Sequence, residues 1–192
     1  MPLLSVVVPH WPYDDEANAA LGRCVASIPH ECEKIVVVND GTGFARNVNL
    51  GLRLASGDYL AVVNNDAQIV EGDVHELCVP GTVTSPAVEG LRPGVAGPIE
   101  GVGFHGCFWV TPRLVLDRVG PLDERFEGGF FEDDDFLQRL STARIPTLQV
   151  ASVRVRHVGG LTMLKLPDRG RGWYDRNERL FEEKWGFVPP SR

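Results

Sequence analysis

Short apolar runs alternate with longer amphipathic stretches in the first third of the chain. Residues 3–8, 35–38 and 59–63 are runs of mostly aliphatic side chains, and such runs predict buried strands. Residues 14–28 and 44–55 carry apolar side chains at helical spacing, which predicts two helices between the strands. Strands that alternate with helices predict right-handed βαβ units and a parallel sheet of the nucleotide-binding type.

Beyond residue 66 the pattern is less regular. Residues 71–103 are rich in Gly and Pro and predict loops with short strands. Pro9 predicts the end of the first strand, because proline cannot donate a hydrogen bond to a ladder. The elements predicted in the remaining chain are strands over residues 106–110 and 150–155, a short helix that opens at Thr111-Pro112, and helices over residues 132–140 and 174–185.

The composition is that of an ordinary globular chain. Its 192 residues are 43% hydrophobic and 23% charged, which suits one domain of common size. The formal net charge of −7 disfavours a general electrostatic grip on nucleic acid, which needs Lys and Arg. A local basic patch stays open, because five arginines lie near the carboxyl terminus: Arg154, Arg156, Arg169, Arg171 and Arg176.

The four cysteines are scattered and form no Cys-x-x-Cys pair, so they indicate neither a zinc site nor a disulfide framework. No apolar run is long enough to span a bilayer, and no basic segment followed by an apolar one marks a signal peptide. We therefore expect a protein without a transmembrane segment, in a reducing, cytoplasmic setting.

The tripeptide Asn64-Asn65-Asp66 follows the third predicted strand. Open α/β sheets bind ligands beyond the carboxyl ends of their strands. One carboxylate beside two amides suits a hard cation that keeps part of its water and binds substrate phosphates. A plain turn is the alternative, since Asn and Asp favour turns. Asp40 follows the second strand at the same predicted edge, where it could bind a base or ribose, although Gly41 after it also suits a turn.

Three further features carry candidate chemistry. The run 132–135 contains four consecutive carboxylates, whose repulsion is costly unless a cation or a proton relieves it. Phe131 and Phe136 indicate partial burial, which favours a general base in the run; an acidic helix N-terminus is the alternative. His157 precedes two glycines that let a phosphate or metal approach, although a lone histidine is more often structural. Trp109 is either a core residue or a platform on which a sugar stacks.

Nine short motifs occur in order along nearly the whole chain. The first five are SVVVP (5–9), VVNDGT (37–42), GFARNVNLG (43–51), ASGDYL (55–60) and NND (64–66). The last four are GPLDERF (120–126), FEDDD (131–135), HVGG (157–160) and KWG (184–186). Through these motifs the chain resembles the family 2 glycosyltransferases of the GT-A fold, and especially their rhamnosyltransferase-like branch.

The resemblance implies an α/β, GT-A-like single domain over residues 1–192, with a Rossmann-like, mixed but mostly parallel sheet flanked by helices. Residues 1–66 would form the nucleotide-binding half, residues 67–160 the acceptor and catalytic half, and residues 161–192 a C-terminal segment and helix. The implied reaction moves a sugar from a nucleoside-diphosphate sugar to a hydroxyl acceptor, with inversion and with Mn²⁺ or Mg²⁺. The acceptor is a glycan, a protein or a modified nucleic-acid base.

The resemblance also implies roles for particular residues. Asp133 matches the catalytic base of a Glu-Asp pair whose other member is Glu132. Asp66 matches a metal-binding aspartate, and His157 a histidine that can join the metal or diphosphate site. The candidates for donor binding are Pro9, Asp40 (at the nucleobase), Arg46, Asn49, Asn65 and Trp109.

Two departures from the family pattern keep other functions open. Thr42 and Gly43 are adjacent, where the family usually has a longer segment with an extra strand, so we expect a shortened nucleotide pocket. The segment between Asp66 and Gly106, which normally helps shape the acceptor site, is also short. A nucleotide-sugar-binding protein without catalysis is one alternative. A sugar-1-phosphate nucleotidyltransferase is less favoured, because residues 9–13 lack the glycines and basic residues of its loop.

Overall fold

The computed structural model describes residues 3–39, 41–89, 103–161, 165, 168 and 170–189. The strands in these residues are β1 (Leu4–His10), β2 (Glu33–Val38), β3 (Tyr59–Val63), β4 (Ala67–Glu71), β5 (Val83–Glu89), β6 (Phe108–Pro112) and β7 (Thr147–His157). The α-helices are α1 (Asp15–Ser27), α2 (Phe44–Leu54), α3 (Arg113–Val119), α4 (Glu132–Thr142) and α5 (Arg171–Trp185), and a 3₁₀ helix spans Val74–Leu77.

The described strands form one sheet in the order β2-β1-β3-β6-β5-β7-β4. Strands β2, β1 and β3 run parallel, as the first third of the sequence predicts. Strand β6 is antiparallel to β3 and β5, β7 is parallel to β5, and β4 is antiparallel to β7. The predicted single α/β domain with a mixed sheet flanked by helices is confirmed, although antiparallel pairs make up half of the sheet's pairings.

Apolar side chains pack on both faces of the central strands of the sheet. On one face, Val7 and Val62 pack with buried residues of α2 and α4, among them Val48 and Phe136. On the other face, the neighbouring strand positions pack against α1 and the 3₁₀ helix. Strands β1 and β3 are buried on both faces and need continuous apolar runs rather than alternation, which is why they are readable in the sequence. Strand β2 lies at the edge of the sheet with Val36 and Val38 exposed, so the prediction that it is buried is wrong.

Strand β1 does not end at Pro9, as the sequence predicts, but continues to His10. Strand β3 pairs with β1 only as far as Val7, whereas β2 stays paired through His10. Beyond Val7 one side of β1 is therefore free of a ladder, so the missing N–H of Pro9 has no partner to lose.

The other helices and strands differ from their predicted bounds mostly in length. Asp14 caps α1 by accepting the N–H of Ala17, so the predicted helix begins where its acidic residues suggest. The short helix starts at Arg113, after Pro112 as its N-cap. Strand β7 is longer than predicted. Among the described residues, no helix combines the length and apolar character needed to cross a bilayer.

Candidate active site

The tripeptide Asn64-Asn65-Asp66 forms a tight turn between β3 and β4. The N–H of Asn64 donates to the Cys107 carbonyl at 2.8 Å, and the N–H of Ala67 donates to the Asn64 carbonyl at 3.0 Å. Asn65 and Asp66 are both buried. The turn is therefore present, and it places a buried carboxylate at the carboxyl end of β3.

The end of β7 holds the carboxylate of Asp66. Its Oδ1 lies 3.0 Å from His157 Nε2, and its Oδ2 accepts the N–H of Gly159 at 3.0 Å. The two residues meet because β4 pairs with β7 so that Ala67 lies opposite His157. The two side chains that the resemblance assigns to the metal are thus brought together and buried.

This pair fits a divalent cation that has further ligands of its own. A carboxylate oxygen and an imidazole nitrogen are both suitable donors. The buried atoms Asn64 Oδ1 and His157 Nδ1 have no hydrogen-bond partner, and unsatisfied buried polar atoms are costly. Within the described ranges no three His, Cys, Asp or Glu side chains form a group that could hold a metal. A cation here would complete its coordination with water or phosphate oxygens.

The side chain of Asn65 is held by hydrogen bonds that run through two further polar side chains. Its Nδ2 lies 2.9 Å from His10 Nδ1, and His10 Nε2 lies 3.0 Å from Asn18 Oδ1. Because the amide of Asn65 donates, His10 accepts at Nδ1 and donates from Nε2 to Asn18. Nothing in the sequence pattern indicated His10, which is buried at the end of β1.

An open cleft lies in front of the turn, with an empty volume of about 620 Å³ that includes space open to solvent. Asp66, Asn65 and Pro9 line it, so three predicted site residues share one cavity. Trp11 and Phe44 add two aromatic side chains that the sequence analysis missed. The complete lining is Pro9, Trp11, Asn39, Phe44, Asn64, Asn65, Asp66, Gly128, Gly160 and Leu161.

Glu132 is buried at the start of α4. Its Oε2 accepts the N–H of Phe130 at 2.5 Å. Burial, and then the charge of Asp133, raises the pKa of Glu132 to about 8. The side chain is therefore mostly protonated at neutral pH, which relieves part of the repulsion within the acidic run.

Asp133 is not among the residues that line the cleft, and it lies against Gly106. A Cβ atom on Gly106 would lie 2.2 Å from Asp133 Oδ2, so the glycine is needed for this close approach. The next residue, Cys107, has a thiol whose pKa burial raises strongly, and the charges of Asp66 and Asp133 both contribute. The carboxylates of Asp66 and Asp133 thus both lie near Cys107, just before β6.

Asp135 has a structural place. It is fully buried, with Oδ2 at 2.9 Å from Arg139 Nε and Oδ1 at 2.6 Å from Lys184 Nζ. Trp185 Nε1 also donates to Oδ1, at 2.9 Å. A carboxylate with three such partners is poorly suited to accept a proton from a substrate.

Two of the predicted donor-binding residues need correction. Asn49 is buried, donates from Nδ2 to the Leu122 carbonyl at 2.8 Å and accepts the N–H of Leu122 at 3.0 Å. Its amide is consumed in joining α2 to the chain after α3. Trp109 is 1% exposed and packs on Phe136 with ring centroids 4.9 Å apart, so it belongs to the core and not to a sugar-stacking surface.

Two other donor-binding candidates stay predictions. Arg46 is exposed, with Nε 3.4 Å from Glu124 Oε2. Asp40 lies outside the described residues. The loop beside it is ordered by Asn47, whose Nδ2 donates to Asn39 Oδ1 at 3.0 Å and to the Gly43 carbonyl at 2.6 Å.

The arginines near the carboxyl terminus are largely paired with acids. Arg154 contacts Glu71 and Glu89, Arg156 contacts Glu89, Arg171 contacts Asp175, and Arg176 contacts Glu127, while Arg169 lies outside the described residues. Each of these described arginines has an acidic partner, which lowers the net positive charge that they present to a phosphate backbone.

No family model and no curated protein matches the sequence. Among solved structures, GalNAc-T7 with UDP, GalNAc and Mn²⁺ superposes with a TM-score of 0.66 over 96% of this chain and 50% of its own, at 13% identity. The catalytic domain of Drosophila β1,4-galactosyltransferase 7, in complex with xylobiose, gives 0.55 over 78% and 65%, at 17% identity. S. aureus TarS gives 0.59 over 97% and 44%, at 11% identity.

These structures are GT-A-type glycosyltransferases, and the likeness shows that this chain has the same fold. The chain spans about half the length of the first of them. At such low identities the likeness concerns the arrangement of the backbone, and the chemistry has to be argued from this chain's own residues.

Proposed function

We propose that this chain is a metal-assisted, inverting glycosyltransferase of family 2, close to the rhamnosyltransferase-like branch. It would move a sugar from a nucleoside-diphosphate sugar to a hydroxyl acceptor. The observation that carries the proposal is the buried Asp66–His157 pair, 3.0 Å apart, which lies at the carboxyl edge of a GT-A sheet. In open α/β sheets this edge is where nucleotides bind.

Asp66 and His157 are the residues that would hold Mn²⁺ or Mg²⁺, and the side chain of Asn64 lies next to His157. When bound, the cation offsets the negative charge that develops on the departing diphosphate. With one carboxylate in the pair, the protein alone binds the cation weakly, and the donor's diphosphate supplies further ligands.

In this proposal Asp133 acts as the general base. It takes the proton of the acceptor hydroxyl while that oxygen bonds to the anomeric carbon and the bond to the diphosphate breaks on the opposite face. Glu132 is not the base in this proposal, because a mostly protonated carboxyl is a poor base at neutral pH. It supports the reaction instead by accepting the hydrogen bond from the Phe130 N–H.

The aromatic side chains of the cleft would bind the donor's nucleoside. Trp11 and Phe44 line the cleft near Asp66, and flat aromatic faces suit stacking on a base. Pro9 and Asn65 lie in the same lining, and Arg46 and Asp40 stay predicted contacts. In this scheme residues 1–66 bind the nucleotide, residues 67–160 form the acceptor and catalytic half, and residues 161–192 form the C-terminal segment and helix.

The acceptor is a glycan, a protein or a modified nucleic-acid base, and the pairing of the described arginines makes the last the least favoured. We place the reaction in the cytoplasm, because the four cysteines are free thiols, which suits a reducing compartment.

The first test is thermal stabilisation by a panel of nucleoside diphosphates and nucleotide sugars, each with and without Mn²⁺ or Mg²⁺. A ligand at about 100 times its Kd stabilises the folded state by ~2.7 kcal/mol, so binding raises the unfolding midpoint. We expect a metal-dependent rise in the wild type and its loss in Asp66→Ala and His157→Ala. Asp117→Ala, an exposed acid of α3, is the matched control.

A rise that is equal with and without metal, or that survives in both site variants, would contradict the metal assignment. Release of the nucleoside diphosphate from the stabilising donor then separates catalysis from binding. A donor that binds but is never turned over, with water or with any acceptor tried, would instead identify a nucleotide-sugar-binding protein.

A further inference from the structure

The loop of residues 127–131, which leads into α4, has an unusual backbone. Phe131, the N-cap residue of α4, has φ of 70°, a left-handed conformation that is uncommon for a residue other than glycine. Such conformations persist only where the surroundings hold them. This turn immediately precedes Glu132 and Asp133, so whatever holds it also sets the position of the acidic run.

One buried amide of helix α5 holds this loop in place. Asn177 is 0% exposed, and its Nδ2 donates to the Glu127 carbonyl at 2.8 Å and to the Phe130 carbonyl at 3.0 Å. One side chain therefore ties two points of the loop to α5. Its Oδ1 is buried without a hydrogen-bond partner, which shows that the amide is oriented by its donor end.

Packing from both sides confines the same loop. A Cβ atom on Gly128 would lie 2.2 Å from Trp173 Cδ2, and the φ of Gly128 is +78°. On its other side, Gly128 N lies 3.2 Å from the position of a Cβ on Gly43, the N-cap residue of α2. Gly128 also lines the cleft. The loop thus lies between α5 and the nucleotide side of the cleft, in contact with both.

We propose that Asn177 is a positioning residue for the transfer reaction, and this inference rests on the proposed function. By holding the carbonyls of Glu127 and Phe130, Asn177 fixes the left-handed turn at Phe131 and so the placement of Asp133 against Gly106. It does not touch the reacting atoms and acts through the loop. A merely structural residue in α5 would need only to fill space, whereas this role requires two N–H donors.

The test compares Asn177→Leu, which keeps the volume, and Asn177→Asp, which places an acceptor against two carbonyls, with the wild type. Leu77→Ala is the control, because Leu77 is fully buried in the core on the other sheet face and its loss lowers stability away from the loop. Turnover is measured with the nucleotide sugar and metal that stabilise the wild type, below every unfolding midpoint. Hydrogen exchange is followed in peptides that cover residues 126–136.

We expect both Asn177 variants to lose about 10–100-fold in kcat, with the donor KM changed by less than about threefold, because small misplacement of a reacting group is enough for such a loss. Their loop amides should exchange faster, whereas Leu77→Ala should keep its kcat despite a lower midpoint. Gly128→Ala, which displaces the loop from Trp173 without touching Asn177, should reproduce the kcat loss if the Asn177 variants fold poorly.

Near wild-type kcat in the Asn177 variants would overturn the positioning role and leave the proposed function intact. A kcat loss of the same size in Leu77→Ala would also overturn it, since the loss would then follow stability alone. A folded wild type that turns over no donor in the panel would overturn the proposed function itself, and the positioning role with it.

Discussion

At the scale of single residues, the four consecutive carboxylates at the start of α4 have different surroundings. Glu132 is buried and retains a proton at neutral pH, and Asp135 is enclosed by Arg139, Lys184 and Trp185. Asp133 lies against Gly106, next to Cys107, whose carbonyl accepts the N–H of Asn64. The proposal assigns the general base to Asp133 because Glu132 is mostly protonated at neutral pH and the carboxylate of Asp135 already has three partners.

This assignment predicts the behaviour of Asp133→Asn. Because a positioned base contributes typically ~10²–10⁴-fold, we expect the variant to lose most of its turnover by a factor of that order. Its affinity for a nucleoside diphosphate with Mn²⁺ should stay unchanged, as calorimetry can show. Asp134→Asn is the matched control, with the same charge change one residue away; near wild-type turnover in Asp133→Asn, or an equal loss in the control, would sink the assignment.

At the scale of elements, Asp135 joins α5 to α4. Its carboxylate receives Arg139 from its own helix, and Lys184 and Trp185 from the end of α5. Lys184 also reaches Asp123, with Nζ 2.8 Å from Oδ2. Two helices far apart in the sequence thus share one buried network, which explains why the motif at residues 184–186 belongs with the acidic run.

Removal of Asp135 should therefore affect stability more than chemistry. Asp135→Ala leaves buried cationic and polar groups without their acceptor, and breaking a buried pair in this way costs about 3–5 kcal/mol. Urea unfolding should show a loss of that order, whereas Asp134→Ala, which removes the same charge in the same turn, should change stability by less than about 1 kcal/mol. Equal midpoints for the two variants would show that the network contributes little.

At the scale of the whole molecule, the sequence predicted the helices and strands better than it predicted which groups each polar or aromatic side chain contacts. Strands buried on both faces require uninterrupted apolar runs, so β1 and β3 were predicted directly. The edge strand β2 was predicted as a strand but not as a half-exposed one, and the parallel order placed the three carboxyl ends together. The sequence also predicted that Asp66 and His157 follow strand ends and lie together, as they do, while their role at a metal stays a prediction. The predicted donor-binding roles of Asn49 and Trp109 were wrong. An amide can bond to backbone groups, and an indole can pack in the core, as readily as either can bind a ligand, and only the tertiary contacts distinguish these uses.

The pH dependence of the whole molecule's stability should report on Glu132. The pKa of Glu132 is about 8 in the folded state against an ordinary value of 4.5, so between these values the folded state binds more protons than the unfolded chain. The stability that its protonation provides is thus complete below about pH 4.5 and is lost as the pH rises through about 8. Each pKa unit corresponds to about 1.4 kcal/mol, although the loss is reduced wherever the protein relaxes around the charge.

Glu132→Gln separates this effect from the other titrations. The amide oxygen can still accept the N–H of Phe130, but the side chain cannot ionise. We expect the variant to match the wild type in urea unfolding near pH 5 and to exceed it near pH 9, by on the order of 2 kcal/mol. A difference between the two proteins that stays constant over this range would show that Glu132 ionises freely in the folded state, and Glu132 would then return as a rival to Asp133 for the role of base.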